Sequence, residues 1–446
     1  MTANMRVYIN FRLKCTMKGC LSMKDRINTG TLSNGLVYGV RETDLDAEEV
    51  QLSLVLKTGS LQQREDENGI AHIVEHMNMN FDKYSYYKQY LEYTSYGLTD
   101  FDRTVYVFSC RNHEDSIRQC LFILRQIAEG IYIRSEFLEA IKQDIAAEIH
   151  SRSQAGKSET DQAIFEHAFY QSRIPAGDAE SVRHTSHTQV TAFHKRWYKP
   201  DRMAVFVVGA VNHTEIQREI IAIFSELFCA DKTHKDSRDA GMPAEYPSPQ
   251  SQRLTKQLFT VGDMNLLEIY MKHTDQVEVT LKSDLLRNIL VEQLDTVCSE
   301  ALRSVGCPVD FFAAMFINFI NLQQFCKFRV VYRGVQSPHQ IIEVINTAIC
   351  SLVNDPNIGC LVEENKKKYA DYYSSCEFHS SLDVHGLLEE CVEHFILGSP
   401  LLSYELDMQE ITDTLNSIGY AEVRQAAELL LNIQATALVG REEDMR

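Results

Sequence analysis

Short apolar runs alternate with amphipathic stretches of helical period along this chain, and the alternation happens twice. Ile70, Ile73, Val74 and Met77 recur at the spacing of one helix face, and so do Phe137, Ile141, Ile145 and Ile149. Strands are expected near 35–41, 50–58 and 104–110 and over Ala204–Gly209, and helices near 84–93, 113–130, 135–152, 158–170, 188–197 and His213–Phe228. From Cys229 to Arg253 the sequence turns polar and carries Pro243, Pro247 and Pro249, the composition of a linker. The order of elements then recurs. Strands are expected near 255–261 and 265–273, a long helix near 279–304, a strand at 326–333, a helix at 338–353, several more helices and a last strand over Ala435–Gly440. Val208-Gly209 closes the first half as Val439-Gly440 closes the second, each after an amphipathic helix, which reads as a degenerate internal duplication. The fold class expected is α+β: two homologous α/β sandwich domains, each an antiparallel or mixed sheet covered by helices. The expected division is an N-terminal extension at 1–28, a first domain at 29–228, a linker at 229–253 and a second domain at 254–446.

Composition narrows the classes of function. A chain of 446 residues, 44% hydrophobic and 24% charged, has the make-up of an ordinary globular protein and is long enough for two full cores. A formal charge of −18 argues against nucleic acid, whose phosphates need clustered cations, and favours basic peptides if charge selects the partner. Twelve cysteines are scattered without a Cys-x-x-Cys pair, as expected of reduced thiols in a reducing compartment. No apolar run approaches a membrane span. Residues 1–26 hold six Lys/Arg against Asp25 alone but lack a long apolar core, so a cytoplasmic location is expected, with a mitochondrial one as the alternative.

The chemistry concentrates in His72-Ile73-Val74-Glu75-His76. On a helix, positions i, i+3 and i+4 share a face, so two imidazoles and a carboxylate point into one small volume. Two neutral imidazole nitrogens and one further oxygen ligand suit zinc and leave a position for water. A carboxylate beside that water, and not on the metal, can take its proton. The order His-x-x-Glu-His is the inverted zincin motif and reads as a metallopeptidase. The same spacing also suits an amphipathic helix with two surface histidines and a solvated Glu75. A structural zinc site is disfavoured, because such sites close with Cys or His. The third ligand lies elsewhere, and the helix over 136–152 offers Glu136, Glu139, Asp144 and Glu148, among which charge alone does not choose.

The surroundings carry a family resemblance. Leu32-Ser33-Asn34-Gly35-Leu36 ahead of a strand, Gly59-Ser60 ahead of Gly69–Met77, Thr99-Asp100-Phe101-Asp102-Arg103-Thr104-Val105-Tyr106, and Phe193–Pro200 followed by Ala204–Gly209 are similar to segments of the pitrilysin, insulysin and mitochondrial processing peptidase family. The resemblance covers the first half well and the second half weakly. It implies two similar domains paired across a dimer, or with a related subunit as a heterodimer, around a peptide chamber. It implies zinc on His72, His76 and Glu148, with Glu75 as the base. It also implies an edge strand at Tyr96-Gly97-Leu98-Thr99 on which an extended peptide adds, with Arg303 touching the substrate carbonyl. Three positions depart from the family: Ile141 stands where it has a second acid, Ala147 where an acid precedes the ligand, and Val309 or a neighbour where a Tyr accompanies the Arg. The function expected is zinc-dependent hydrolysis of oligopeptides or leader and presequence peptides. The alternative is a non-catalytic scaffold subunit that has kept the fold.

Overall fold

The computed structural model describes residues 25–83, 93–154, 168–227, 253–261, 264–274, 279–318, 324–334, 336–373, 375, 383–401, 404–431 and 437–439. The extension up to residue 24, all but Tyr93 of the Tyr-rich helix expected near 84–93, most of the one expected at 158–170 and the linker up to residue 252 lie outside them; Tyr93 itself opens a strand. The first repeat runs β1 (Asp25–Thr31), β2 (Val37–Thr43), β3 (Glu49–Leu56), α1 (Ile70–Met79), β4 (Tyr93–Thr99), β5 (Thr104–Arg111), α2 (Glu114–Glu129), α3 (Leu138–Gln154), α4 (His187–Trp197), β6 (Met203–Gly209) and α5 (His213–Phe224). The second runs β7 (Arg253–Val261), β8 (Met264–Thr274), α6 (Leu281–Ser304), β9 (Val309–Asn318), β10 (Gln324–Arg333), α7 (Pro338–Asn354), α8 (Ile358–Tyr373), α9 (Val384–Leu397), α10 (Tyr404–Ser417), α11 (Tyr420–Leu431) and β11 (Ala437–Val439).

Two compact units result, and neither is a continuous stretch of chain. The first gathers the described residues of 25–150, 172–227 and 375–407, and the second those of 151–171, 253–374 and 408–439. The units therefore differ from a division made along the sequence at 229–253. The reason is visible in the first sheet, whose order is β1-β2-β6-β3-β5-β4. Its central strand β6, Met-Ala-Val-Phe-Val-Val-Gly, is buried at every position, and β3 is buried at all but Glu49. A strand that is apolar on both faces needs cover on both faces. One face carries Leu52, Leu54, Tyr106, Phe108, Val205 and Val207, packed against α1, α2, α3, α4 and α5. The other carries Val55, Val105, Val107, Ala204, Phe206 and Val208, packed against Val384, Leu387, Leu388, Cys391 and Val392 of α9. A helix from late in the sequence thus completes the first unit.

Charges fix that helix in place. Arg41 lies 2.7 Å from Asp25 and 2.7 Å from Glu390 of α9. The Arg41 and Asp25 side chains are each only 2% exposed, a paired charge that would be costly to break. Arg103 reaches Glu393 at 2.6 Å. Strand β1 includes Asp25–Asn28, which fall inside the segment expected as an extension.

The duplication shows in the strand order. In the first sheet, β3 leads through α1 to the edge strand β4, which returns as β5 between them. In the second, whose order is β11-β7-β8-β10-β9, β8 leads through α6 to the edge strand β9, which returns as β10. The closing strands differ: β6 sits between β2 and β3, whereas β11 pairs parallel with β7 at an edge. Strand β9 is not among the elements the sequence suggests, because Val309–Asn318 is a nearly unbroken apolar run without a readable period. No helix among the described residues is long and apolar enough to cross a membrane.

Truncating Leu388, which is 1% exposed against the sheet, removes packing that only α9 supplies. Leu388→Ala is expected to destabilise the first unit by about 2–5 kcal/mol, read as a lower denaturation midpoint. An unchanged midpoint would contradict the packing described.

Candidate metal centre

Helix α1 starts at Gly69, whose φ of 89° lies in the left-handed region, so the polar loop turns sharply into the helix. That loop is pinned at several points. Gln63 Oε1 accepts from the Ala71 N–H at 3.0 Å. Asn68 Nδ2 donates to Asp178 at 2.8 Å. Glu67 accepts two hydrogen bonds from Arg196 Nη2, at 2.9 and 2.6 Å. Arg196 belongs to α4, and the residue just beyond that helix holds the other end of α1. Tyr198 shares a 2.6 Å hydrogen bond with Tyr106, whose hydroxyl accepts from Asn78 Nδ2 at 3.1 Å. One helix therefore clamps the start and the finish of α1, while Ile70, Ile73, Val74 and Met77 seat it in the core.

With α1 held, the motif residues converge. Among the described residues, the ligand atoms of His72, Glu75 and His76 form the one His/Cys/Asp/Glu cluster whose members all lie within 4.8 Å of one another. Glu148 approaches from α3, whose Leu138, Ile141 and Ile145 pack into the same core. Its Oε2 lies 3.5 Å from His72 Nε2 and 3.6 Å from His76 Nε2. Those separations exceed the 2.7–3.2 Å usual for a nitrogen–oxygen hydrogen bond. They approach the edge of about 3.4 Å that a tetrahedron with metal–ligand bonds of ~2.1 Å would have. The donor set, two imidazoles and a carboxylate, is the one zinc takes in hydrolytic sites. The residues present fit that ion.

The electrostatics agree. Burial pushes the Glu75 carboxyl up to about 7; His76 pulls it down and Glu148 raises it again. Burial disfavours the charged form of His76, but Glu148, Glu75 and Asp144 outweigh it and raise the imidazole. Carboxylates gathered around two imidazoles make a pocket that favours a cation. Burial also drives Tyr106 well above its ordinary range, helped by Tyr198 and Glu75, so it stays a neutral hydrogen-bonding group beneath the helix.

The other acids on α3 and in the turn before it are exposed, and of these Asp144 acts on His76 only through its charge. Glu139 is exposed and pairs with Lys142 at 2.8 Å, and Glu136 and Asp144 are exposed. Ile141, where the family has an acid, is 4% exposed and part of the core, so the site holds no second carboxylate there. Tyr96, Gly97, Leu98 and Thr99 lie on β4, which among the described residues pairs only with β5 and leaves its other edge open. Gly97 faces the motif: a Cβ built there would lie 2.7 Å from Glu75 Cδ and 3.0 Å from its Cγ. Arg303 is exposed in the last turn of α6, in the second unit, and Val309 opens β9. Sequence reasoning missed the clamp formed by Glu67, Arg196, Asn78, Tyr106 and Tyr198. Tyr106, Arg196 and Tyr198 stood in segments that resemble the family, and nothing in their spacing reveals the partners.

Residues 40–174 match the family model described as Insulinase (Peptidase family M16), and residues 185–357 the one described as Peptidase M16 inactive domain. The chain is similar to the zinc protease PQQL-like of Arabidopsis thaliana, with 28% identity over 233 residues, 49% of this chain and 23% of that protein. It is also similar to the chloroplastic stromal processing peptidase of the same plant, with 26% identity over 219 residues, 47% of this chain and 17% of that one. The chain thus spans about a quarter or less of these curated relatives. Among solved structures, the first half of the periplasmic protease PqqL from Escherichia coli aligns with a TM-score of 0.75 at 19% identity, over 95% of this chain and 94% of that one. A protease from Helicobacter pylori aligns with a TM-score of 0.68 at 18% identity, over 93% and 99%.

A methyl group on residue 97 has no room beside Glu75. Gly97→Ala is expected to turn the Glu75 side chain out of its present position and to cost about 1–3 kcal/mol of stability. A crystal structure of the variant with Glu75 unmoved would contradict the contact.

Proposed function

The chain belongs to the insulinase peptidase family, M16, and on that premise we propose that it is a zinc-dependent endopeptidase acting on extended oligopeptides, leader and presequence peptides included. The observation that carries the reading is the position of one Glu148 oxygen, 3.5 and 3.6 Å from the two imidazoles, with the buried Glu75 beside them. His72, His76 and Glu148 would hold the ion. A zinc ion held there supplies a Lewis acid that polarises the scissile carbonyl and makes water a nucleophile near neutral pH.

The remaining work falls to the protein. Glu75 takes the attacking water's proton and returns it to the leaving amine. Burial raises the Glu75 carboxyl in the metal-free protein, and beside a bound cation it returns toward the ionised form that accepts a proton. The open edge of β4 offers backbone donors and acceptors to a substrate that adds as a further strand, which fixes the peptide in extended form. Gly97, having no side chain, lets that strand lie against Glu75. The Arg196 and Tyr198 contacts keep α1 from shifting, so the base and the ligands hold their relative positions.

Two substitutions separate the roles. Glu75→Gln is expected to keep stoichiometric zinc while peptide turnover falls by about 10²–10⁴-fold; turnover near the wild-type rate would rule out its role as base. Glu148→Gln is expected to lose zinc on dialysis against a mild chelator that leaves the wild type loaded, measured by elemental analysis. Zinc retained in that variant would move the third ligand elsewhere. A wild-type chain purified without zinc and unable to take it up would favour the non-catalytic scaffold.

A further inference from the structure

The open edge of β4 has two faces, and only one of them points at the metal centre. Register with β5 sets the faces: Gly97 lies opposite Tyr106 and Ser95 opposite Phe108, on the side of α1. Tyr96 lies opposite Val107 and Leu98 opposite Val105, on the side covered by α9. The Tyr96 ring is 42% exposed and sits 6.3 Å, edge to face, from the ring of His385 in the first turn of α9. His385 is held from below, with Nδ1 3.3 Å from Gln51 Oε1 on β3, and its Nε2 lies 3.4 Å from Glu389 one turn along the helix. Glu389 is near enough to Tyr96 to add to the upward shift of its hydroxyl, whose first cause is burial. Its neighbours Glu390 and Glu393 face Arg41 and Arg103, so Glu389 is the acid that α9 turns toward β4.

An extended peptide on β4 sends its side chains alternately to the two faces. We propose that Tyr96, His385 and Glu389 form a subsite on the α9 face of β4 for a lysine or arginine side chain of the bound peptide, at positions that alternate with those facing the metal centre. This rests on the peptidase reading and adds to it the residues that select the substrate. The aliphatic stem lies along the Tyr96 ring, where the cation gains from the aromatic face, and the charged end takes the place of the His385 imidazole at the Glu389 carboxylate. The chain's −18 charge gathers basic peptides to the molecule, and this subsite sets which of their residues counts.

The test uses the full chain carrying Glu75→Gln, with and without Glu389→Gln or Glu389→Lys, and a set of fluorescent decapeptides. Each peptide is of one neutral background with Arg or Glu placed at a single position in turn, and affinity is read by anisotropy. The Glu75→Gln protein is expected to favour Arg over Glu by about tenfold at alternate positions and to show little preference between them. Adding Glu389→Gln is expected to reduce that ratio about fivefold, the scale of one partly exposed charge pair. Glu389→Lys is expected to invert it. A preference unaffected by either change, or one without the two-residue period, overturns the subsite. The peptidase reading is tested apart from this, by cleavage of the neutral peptide with the wild-type chain. Absence of cleavage there, with binding preferences as described, sinks the enzyme and leaves the subsite. Absence of any peptide binding overturns the subsite as well.

Discussion

One carboxylate oxygen, that of Glu148, ties two helices of separate origin to a common point. Helix α1 supplies imidazoles already fixed relative to each other by helical geometry, and α3 supplies the oxygen from across the core. Neither helix makes the site alone. Its geometry depends on how deeply each is seated, and both are seated by the same apolar layer over the inner face of the first sheet. Sheet packing and site chemistry are therefore coupled. A shift of α3 in that layer moves the ligand, and a shift of α1 moves the ligands and Glu75 together.

The structure restrains both motions. The clamp from α4 acts on α1 at its two ends, through a charged pair at the loop and a buried tyrosine pair at the far turn. The sheet below is stiffened by cover on its second face, brought by α9, which follows β10 in the chain. The transfer of α9 to the first unit follows from a simple requirement. The first repeat builds a sheet with two apolar faces, and its own helices cover one of them. The same transfer delivers His385 and Glu389 to the edge strand, so the element that completes the core also reaches the outer side of the place where a peptide would lie.

Much of this was legible in the sequence. The stripe of Ile70, Ile73, Val74 and Met77 placed α1 and told which side of it was buried, and the His-x-x-Glu-His spacing then pointed the polar side at a common volume. Periodicity likewise located α3, but it could not choose among its acids. That choice rests on which face of α3 meets α1, a fact of tertiary packing that the resemblance carried and the spacing did not. Ile141 shows the limit from the other side. In the sequence it stood only as an exception to a family pattern, and in the fold it is one more core residue. The apolar run Ala204–Gly209 located a strand but not the source of its cover, because nothing local links β6 to a helix beginning at Val384. The clamp was illegible for the same reason: Glu67 and Arg196 are far apart in sequence and unremarkable singly.

The central claim is that His72, His76 and Glu148 share one metal ion while Glu75 stays off it. X-ray diffraction from crystals of the purified chain, recorded on either side of the zinc absorption edge, tests it most directly. The account predicts one anomalous peak about 2.0–2.2 Å from His72 Nε2, His76 Nε2 and Glu148 Oε2, with the Glu75 carboxylate outside bonding distance. A zinc peak bound by Glu75 in place of Glu148, or no peak at these residues from zinc-supplemented crystals, would contradict it.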